Sequence, residues 1–378
     1  MKVLHIINGL GDGGAEGVLV RLCTYDKVNE HIVVSLLNHG KYGAELKMKG
    51  IDVHCLELGS FLKFVFGFFK LVRIIRLAKP DIVQTWLYHS DLFGGIASYF
   101  AGVRRVIWCV RNGDLISGKT KRTTILIVNT LAKISYLVPS RIVVCSLKAR
   151  ETHELLGYNR SIMSCIPNGY DLGRFCFDKG GRESFRSGWG VPFDAKLIGM
   201  VGRYDPVKDH ENLLLAISIL NRRNISFFCV LVGEDLDESN QEINRMICEL
   251  EIQNRVILAG QKNDVPAVMS ALDLHVLSSC TEAFPNVVAE AMACETPCIV
   301  TDVGDSGHIV GNAGWIVPPQ NAQALAEGIE LALAYLNSAN LDEIKKRARA
   351  RIIANFGMDS MVSSYQAIWQ EVISECAD

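Results

Sequence analysis

The chain has 378 residues, 49% of them apolar and 21% charged, with a formal net charge of −2. That length suggests about two core-forming domains, and the composition excludes a disordered or collagen-like chain. The small net charge hides a sector: residues 60–150 hold fifteen Lys or Arg against three Asp and no Glu, while the rest of the chain is acidic.

A basic sector can attract nucleic acid, anionic lipid or a phosphorylated substrate. No recognisable nucleic-acid reading module accompanies it, so no nucleic-acid partner is expected. The twelve Cys are scattered without paired metal spacing. They read as buried free thiols of a cytosolic protein rather than a disulfide framework. MKVLHIINGLGDGG is too quickly interrupted for a signal peptide, and no run of about 18 uncharged apolar residues suggests a membrane span.

The first strand, Val3–Ile7, enters the loop Asn8–Gly14. Gly9, Gly11 and Gly14 have the G-x-G-x-x-G spacing of a dinucleotide site. Such a site also wants an acid about twenty positions further on, near the end of strand two. Here strand Ile32–Leu36 runs into Asn38 and His39, so NAD or FAD is disfavoured. The loop can still bring backbone N–H groups close to a diphosphate. A third strand, Val53–Leu56, precedes Phe61–Leu77, FLKFVFGFFKLVRIIRL. This segment reads either as a surface helix packed on the core or as an interfacial helix with aromatics in lipid and Lys63, Lys70, Arg73 and Arg76 at headgroups. On the second reading, substituting Phe64, Phe68 and Arg73 abolishes bilayer binding.

Strands at Ile82–Thr85, Val106–Val110 and Ile142–Cys145 follow. His89 comes after the first of these and Arg111 after the second. Continuous apolar strands separated by helices imply a parallel sheet covered on both faces. The pattern restarts at Leu197–Val201 and runs through Phe227–Val232, Val256–Ala259, Leu274–Leu277, Cys298–Thr301 and Trp315–Val317. The expected fold is therefore α/β, two doubly wound Rossmann-like domains. The boundary falls in the turn-rich stretch from Pro167 to Pro192. We place the domains at 1–170 and 171–356, with the amphipathic C-terminal helix, about 357–378, packing back onto the first. Ligands of such folds bind at the carboxyl ends of the strands, which puts the expected site in the cleft between domains.

Three loops of the second half can do chemistry. In VGRYDPVKDHENLL, Arg203 and Lys208 lie in a strand-to-helix loop, where a planar fork and a point charge can both reach a pyrophosphate. In VILAGQKNDVP, backbone from Gly260 to Val265 can cradle a base. In SSCTEAFPNVVAE, Glu282 sits in a loop and Glu290 lies one helical turn in, on the face of Asn286. Pro285 marks the helix start, whose free N–H groups favour an anion. A carboxylate beside an anion site and another a turn deeper suit a ligand with both phosphates and hydroxyls. Asp235 and Asp237 form a D-x-D that reads as a solvated turn. No nucleophile elbow, H-E-x-x-H or P-loop appears.

The order GLGDGGAE, IPNGYD, VGRYDPVKDHENLL, AGQ and TEAFPNVVAEAMACETPCIVTDVG resembles family 4 of the retaining glycosyltransferases, of GT-B fold, over nearly the whole chain. The resemblance implies that backbone of Gly13 and Gly14 approaches the donor phosphate and that Arg203 and Lys208 neutralise the diphosphate. It implies that Glu282 holds sugar hydroxyls, that backbone near Phe284, Asn286 and Val287 meets sugar and phosphate, and that Glu290 binds the ribose. Gly260, Lys262 and Val265 then flank the base. It further implies retention of configuration, no metal, no cofactor beyond a nucleotide-sugar co-substrate, and proton transfer to a donor phosphate oxygen with front-face attack. Relatives often carry His at the end of the fifth strand, where this chain has Arg111; His89 nearby either faces the acceptor or fills a packing role. Arg111, always protonated, suits a phosphate or acceptor contact rather than a base. Pro285, where relatives often have Gly, narrows the sugar pocket.

The expectation is a cytoplasmic hexosyltransferase, peripheral on the inner face of the plasma membrane. Its donor is a UDP-sugar in preference to a GDP-sugar, and its acceptor a lipid-linked or oligosaccharide precursor of a surface polysaccharide or O-antigen-type glycan. A sugar-nucleotide epimerase of the same fold, a dinucleotide oxidoreductase and a non-catalytic nucleotide-binding module remain as rivals.

Overall fold

The structure is a computed structural model and describes residues 1–11, 13–59, 61–111, 121–338 and 340–375. Asp12 of the first glycine loop, the residues after Arg111 and the last three residues lie outside it, as do the side chains of Phe61 and Leu62. The chain forms two compact units, Met1–Gly169 with Met358–Asp378, and Tyr170–Gly357.

In the first unit the chain runs β1 (Lys2–Ile7), α1 (Gly14–Tyr25), β2 (Glu30–Ser35), α2 (Gly40–Met48), β3 (Asp52–Cys55), α3 (Phe61–Ala78), β4 (Ile82–Trp86), α4 (Tyr88–Ala101), β5 (Val106–Val110), α5 (Arg122–Ile134), β6 (Arg141–Val144), α6 (Leu147–Leu155) and β7 (Met163–Cys165). The strands form one sheet in the order β3-β2-β1-β4-β5-β6-β7, each neighbour parallel. All five residues of β5 are buried, as a strand covered on both faces requires. Sequence reading misses β7 because Met-Ser-Cys is three residues long and carries no β-branched run.

Helix α3 settles one question of packing. Leu71, Val72 and Ile75 turn into the core, while Phe66, Phe69 and Leu77 are 73%, 67% and 72% exposed. Phe68 stacks edge-on against Phe93 at 5.6 Å, and Phe64 lies 4.7 Å from the same ring. Lys70 and Arg76 donate to the carbonyls of Cys55 and Phe100. The helix thus packs on the core through one face and leaves a second apolar face uncovered.

The second unit runs α7 (Lys179–Gly188), β8 (Leu197–Val201), α8 (His210–Arg222), β9 (Phe228–Val232), α9 (Gln241–Glu249), β10 (Val256–Gly260), α10 (Val265–Ala271), β11 (Leu274–Leu277), α11 (Asn286–Ala293), β12 (Cys298–Thr301), α12 (Ser306–Val310), β13 (Gly314–Val317), α13 (Ala322–Leu336) and α14 (Leu341–Asn355). Its sheet is parallel in the order β10-β9-β8-β11-β12-β13. The Gly-rich run after Asp178, which reads as a turn segment, folds as α7. Asp178 caps it by accepting from the Gly181 N–H at 2.9 Å. Arg182 then donates to the carbonyls of Ser270, Ala271 and Leu272 at the end of α10, and both Arg182 and the fully buried Arg186 pair with Asp273. Tertiary anchoring overrides the poor helix propensity of Gly.

The last helix, α15 (Met358–Glu375), belongs to the first unit. Met361, Tyr365, Ile368 and Trp369 join the core cluster of Val3, Ile7 and Trp86. Trp369 Nε1 donates to Gln84 Oε1 at 2.7 Å. In each sheet the strand order reverses once, between β1 and β4 and between β8 and β11. Those switch points open a crevice at the carboxyl ends of the strands.

Candidate active site

At the switch point of the second unit, β8 runs into Gly202–Asp209. Asp205 Oδ1 accepts from the Val207 N–H at 3.0 Å, and its other oxygen receives Arg203 Nε and Nη2 at 3.0 and 2.9 Å. Burial pushes the Asp205 carboxyl up, but the hydrogen bonds from Val207 and Arg203 outweigh it and hold the group below the usual carboxylate range. Arg203 is thereby oriented while its side chain stays 59% exposed, a cation turned to solvent.

The partner loop follows β11. Ser278 Oγ donates to the carbonyls of Lys208 and Asp209 at 2.9 and 3.0 Å, and the Cys280 N–H to Val207 O at 2.9 Å. The two loops are therefore stitched together through backbone. Lys208 Nζ lies 2.6 Å from Glu282 Oε1, with the side chains 19% and 13% exposed, and Ser279 Oγ donates to the same oxygen at 2.8 Å. Behind Glu282, Gly304 has φ +55°, and a Cβ there would stand 2.4 Å from Glu282 O and 2.7 Å from Ala283 O. Asp305 N–H donates to Ala283 O at 3.0 Å, and Thr301 Oγ1 to Ser279 O at 2.7 Å. The site loop thus rests on a backbone shelf that only Gly permits.

Pro285 (φ −72°, ψ 96°) directly precedes α11, which starts at Asn286, and no side chain caps the helix. The Val288 N–H donates to Pro285 O at 3.1 Å, and the dipole of a helix start favours an anion. Tyr170 OH donates to Asn286 Oδ1 at 2.6 Å, and the buried Phe284 ring meets Phe356 at 5.7 Å. Val287 and Glu290 are half-buried on the same helix. At the end of β10, Gly260 has φ +65°; its N–H donates to Leu236 O and its carbonyl accepts from the Gly233 N–H. Lys262 and Val265 follow, half-buried, with Asp264 capping α10. Arg203, Lys208 and Glu282 thus belong to one stitched pair of loops. Sequence reasoning missed Asp205, Ser279, Gly304 and Tyr170. The Asp-Pro pair and the Gly after Val303 were the available signals.

At the switch point of the first unit, Gly13 flanks α1 with φ −125° and no side-chain cap, and the Glu16 carboxylate lies against it. His89 is exposed in the first turn of α4. The residue before Tyr88, Leu87, has φ 74° and ψ 153°, a region otherwise reserved for Gly, and such strain clusters at functional positions. Burial of part of the ring, helped by the charge of Lys121, lowers the His89 pKa. Arg111 stacks 4.7 Å over Trp86 and donates to Asn168 Oδ1 at 2.8 Å and Tyr365 OH at 2.6 Å, bonds that sequence reading did not anticipate.

His5, Cys23 and His31 are buried with possible ligand atoms within 4.8 Å of one another. Their hydrogen bonds assign the nitrogens otherwise. Trp86 Nε1 donates to His5 Nδ1, so His5 Nε2 carries the proton it shares with His31 Nδ1 at 3.0 Å, and His31 Nε2 faces Asp26 at 3.3 Å. Asp237 accepts from Ser239 N–H and Oγ, and Asp235 has φ 58°, the geometry of an exposed turn.

Two parallel-sheet Rossmann-like units define the GT-B class of α/β proteins. The fold matches Anabaena Alr3699/HepE, solved in complex with UDP, at a TM-score of 0.85 with 21% identity, covering 98% of this chain and 100% of that one. Residues 12–174 match the family described as Glycosyltransferase Family 4, and residues 181–351 that described as Glycosyl transferases group 1. The chain belongs to the family 4 glycosyltransferases. Among its relatives, an Escherichia coli UDP-Gal:alpha-D-GlcNAc-diphosphoundecaprenol alpha-1,3-galactosyltransferase is 24% identical over 323 residues, 83% of this chain and 81% of that protein. A Bacillus anthracis N-acetyl-alpha-D-glucosaminyl L-malate synthase is 25% identical over 228 residues, 60% and 58% of the two chains.

Proposed function

We propose that this glycosyltransferase moves a sugar, with retention of configuration, from a UDP-sugar to a hydroxyl of a lipid-linked glycan during surface-polysaccharide assembly. The observation that carries the reading is the Lys208–Glu282 pair, 2.6 Å apart and mostly buried, between a solvent-facing Arg203 and the uncapped start of α11. A donor diphosphate takes the positions offered by Arg203, Lys208 and the helix N–H groups. Lys208 then gives part of its charge to phosphate, and Glu282 accepts from sugar hydroxyls. Glu290 accepts from ribose hydroxyls, and the Gly260–Val265 backbone flanks the base.

In the reaction the acceptor oxygen forms its bond to the anomeric carbon on the face from which UDP leaves. The acceptor proton passes to the departing phosphate oxygen. The protein supplies position and fixed charge rather than a nucleophile, and this route uses no metal. The UDP held by HepE and the diphosphoundecaprenol acceptor in the relative's name support the donor and acceptor classes. On this reading the first unit binds acceptor, with His89 and Arg111 on that side, and the second binds donor.

The test begins with the thermal midpoint against UDP, GDP, ADP and NAD. A ligand at 100 times its Kd adds about 2.7 kcal/mol. A UDP-selective shift, lost in Arg203→Ala, is the expected result; a shift with NAD alone overturns the reading. Glu282→Gln is then assayed with a UDP-sugar panel and EDTA present. Transfer should fall at least about 100-fold, a barrier increase of about 2.7 kcal/mol, while the UDP shift persists. Full activity in that variant removes Glu282 from the mechanism. Conversion of the UDP-sugar without acceptor makes the protein an epimerase.

A further inference from the structure

The first unit contains an apolar cavity of about 500 Å³ whose lining includes Leu36, Leu58, Phe68, Phe93, Ile96 and Ile127. Among the described residues, only Asn8 and His89 contribute polar side chains to its wall. Both follow a strand at the β1/β4 switch point, and Ser90 Oγ fixes Asn8 by donating to its Oδ1 at 2.6 Å. The polar end of the cavity is thus the place where ligands of this fold gather, and the apolar body extends away from it under α3 and α4.

We infer that this cavity holds the apolar chain of the acceptor lipid at its head-group end, with the head group at Asn8 and His89. The inference rests on the transferase reading and names the part of the acceptor that the first unit recognises. A volume of this size is that of a small-molecule pocket rather than a packing defect. A peptide is a poor occupant, because a hydrocarbon wall leaves its backbone N–H and C=O groups unpaired. A hydrocarbon chain has no such groups. The charge at the polar end fits an anionic head: Lys121, whose charge reaches His89, and Arg122 beside it at the start of α5 are exposed, in a sector of fifteen cations and three Asp. The exposed Phe66 and Phe69 on α3 provide an apolar approach from a membrane surface.

Calorimetric titration of the full chain with farnesyl diphosphate below its micellar range, and with inorganic pyrophosphate, tests this. Farnesyl diphosphate should bind at least about tenfold more tightly than pyrophosphate. Ile96→Trp fills the cavity and should raise the farnesyl diphosphate Kd at least about tenfold, with the UDP thermal shift intact. Leu37→Trp, at a lining position that is 48% exposed, serves if Ile96→Trp does not fold. Equal binding of pyrophosphate, or an unchanged Kd in a folded cavity-filled variant, overturns the inference. So does a Kd lost in Phe66→Ser/Phe69→Ser but kept in the filled cavity, since binding then occurs on the surface. Farnesyl diphosphate binding without any UDP shift overturns the donor reading alone.

Discussion

His275 is fully buried in β11, directly before the site loop, and neither ring nitrogen has a hydrogen-bond partner among the described residues. Burial, with the charge of Lys208, lowers its pKa to about 3. The unfolded chain takes up a proton near pH 6.5 and the folded chain cannot, so stability is lost as pH falls from about 6.5 toward 3, at about 1.4 kcal/mol per pH unit. His210, lowered to about 4 by burial and Lys208, adds to the same slope. His275→Leu should therefore cut the stability lost between pH 7 and pH 5 by about 2 kcal/mol, read from urea denaturation at both values. It should be neutral or mildly stabilising at pH 7, because an unsatisfied polar group leaves the core. An unchanged acid slope would show that His275 is already solvated. At this scale the sequence offers Arg203, Lys208 and Glu282 as candidates by chemistry. Their pairing, and the roles of Asp205 and Ser279, depend on loop geometry that no spacing rule specifies.

The elements were legible wherever apolar runs are continuous. Among the described residues, nine of the thirteen strands hold four residues or more of a run visible in the chain, β3, β6 and β13 hold three, and β7 and α7 rely on neighbours. The β12–α12 connection carries a constraint that the sequence signals only as a Gly. Gly304→Ala puts a methyl group into the carbonyls of Glu282 and Ala283 at a φ of +55°. It should destabilise by about 1–3 kcal/mol and lower transfer by displacing Glu282, seen as a fall in kcat/KM larger than the loss in UDP affinity. Wild-type kinetics in that variant would show that the shelf does not position the loop. Helix α3 makes a second prediction. The sequence pointed to Phe64 and Phe68; Phe68 is half-buried against Phe93, Phe64 meets the same ring but stays 49% exposed, and Phe66 and Phe69 are the more exposed rings. Phe66→Ser/Phe69→Ser should change stability by no more than about 0.5 kcal/mol each, while sedimentation with anionic vesicles falls. Unchanged sedimentation would remove the membrane role of this helix.

For the molecule as a whole, the division of the chain is not its order. The first unit takes its last helix from the end of the sequence, and Trp369 is fully buried against β4 and β1 side chains while bonding Gln84. Trp369→Ala should cost about 3–5 kcal/mol in urea denaturation, through lost burial, a cavity and an orphaned Gln84. A chain ending at Gly357 should leave the first unit's core uncovered and be recovered aggregated. A soluble truncated chain with native stability would mean that α15 is dispensable. No described helix is long and apolar enough to cross a membrane.

By itself the sequence determined the parallel α/β class, the two restarts of the strand pattern and the loops that follow β1, β8 and β11. Those follow from local facts: hydrophobic period, strand length, and Gly or Pro at chain reversals, each set within a few residues. Tertiary structure alone decided which groups are engaged. It paired Lys208 with Glu282, tied Arg111 to Asn168 and Tyr365, buried His275 with no hydrogen-bond partner among the described residues, and opened the cavity beside His89. These depend on contacts between residues tens to hundreds of positions apart, where side-chain direction and volume rather than sequence spacing determine what meets.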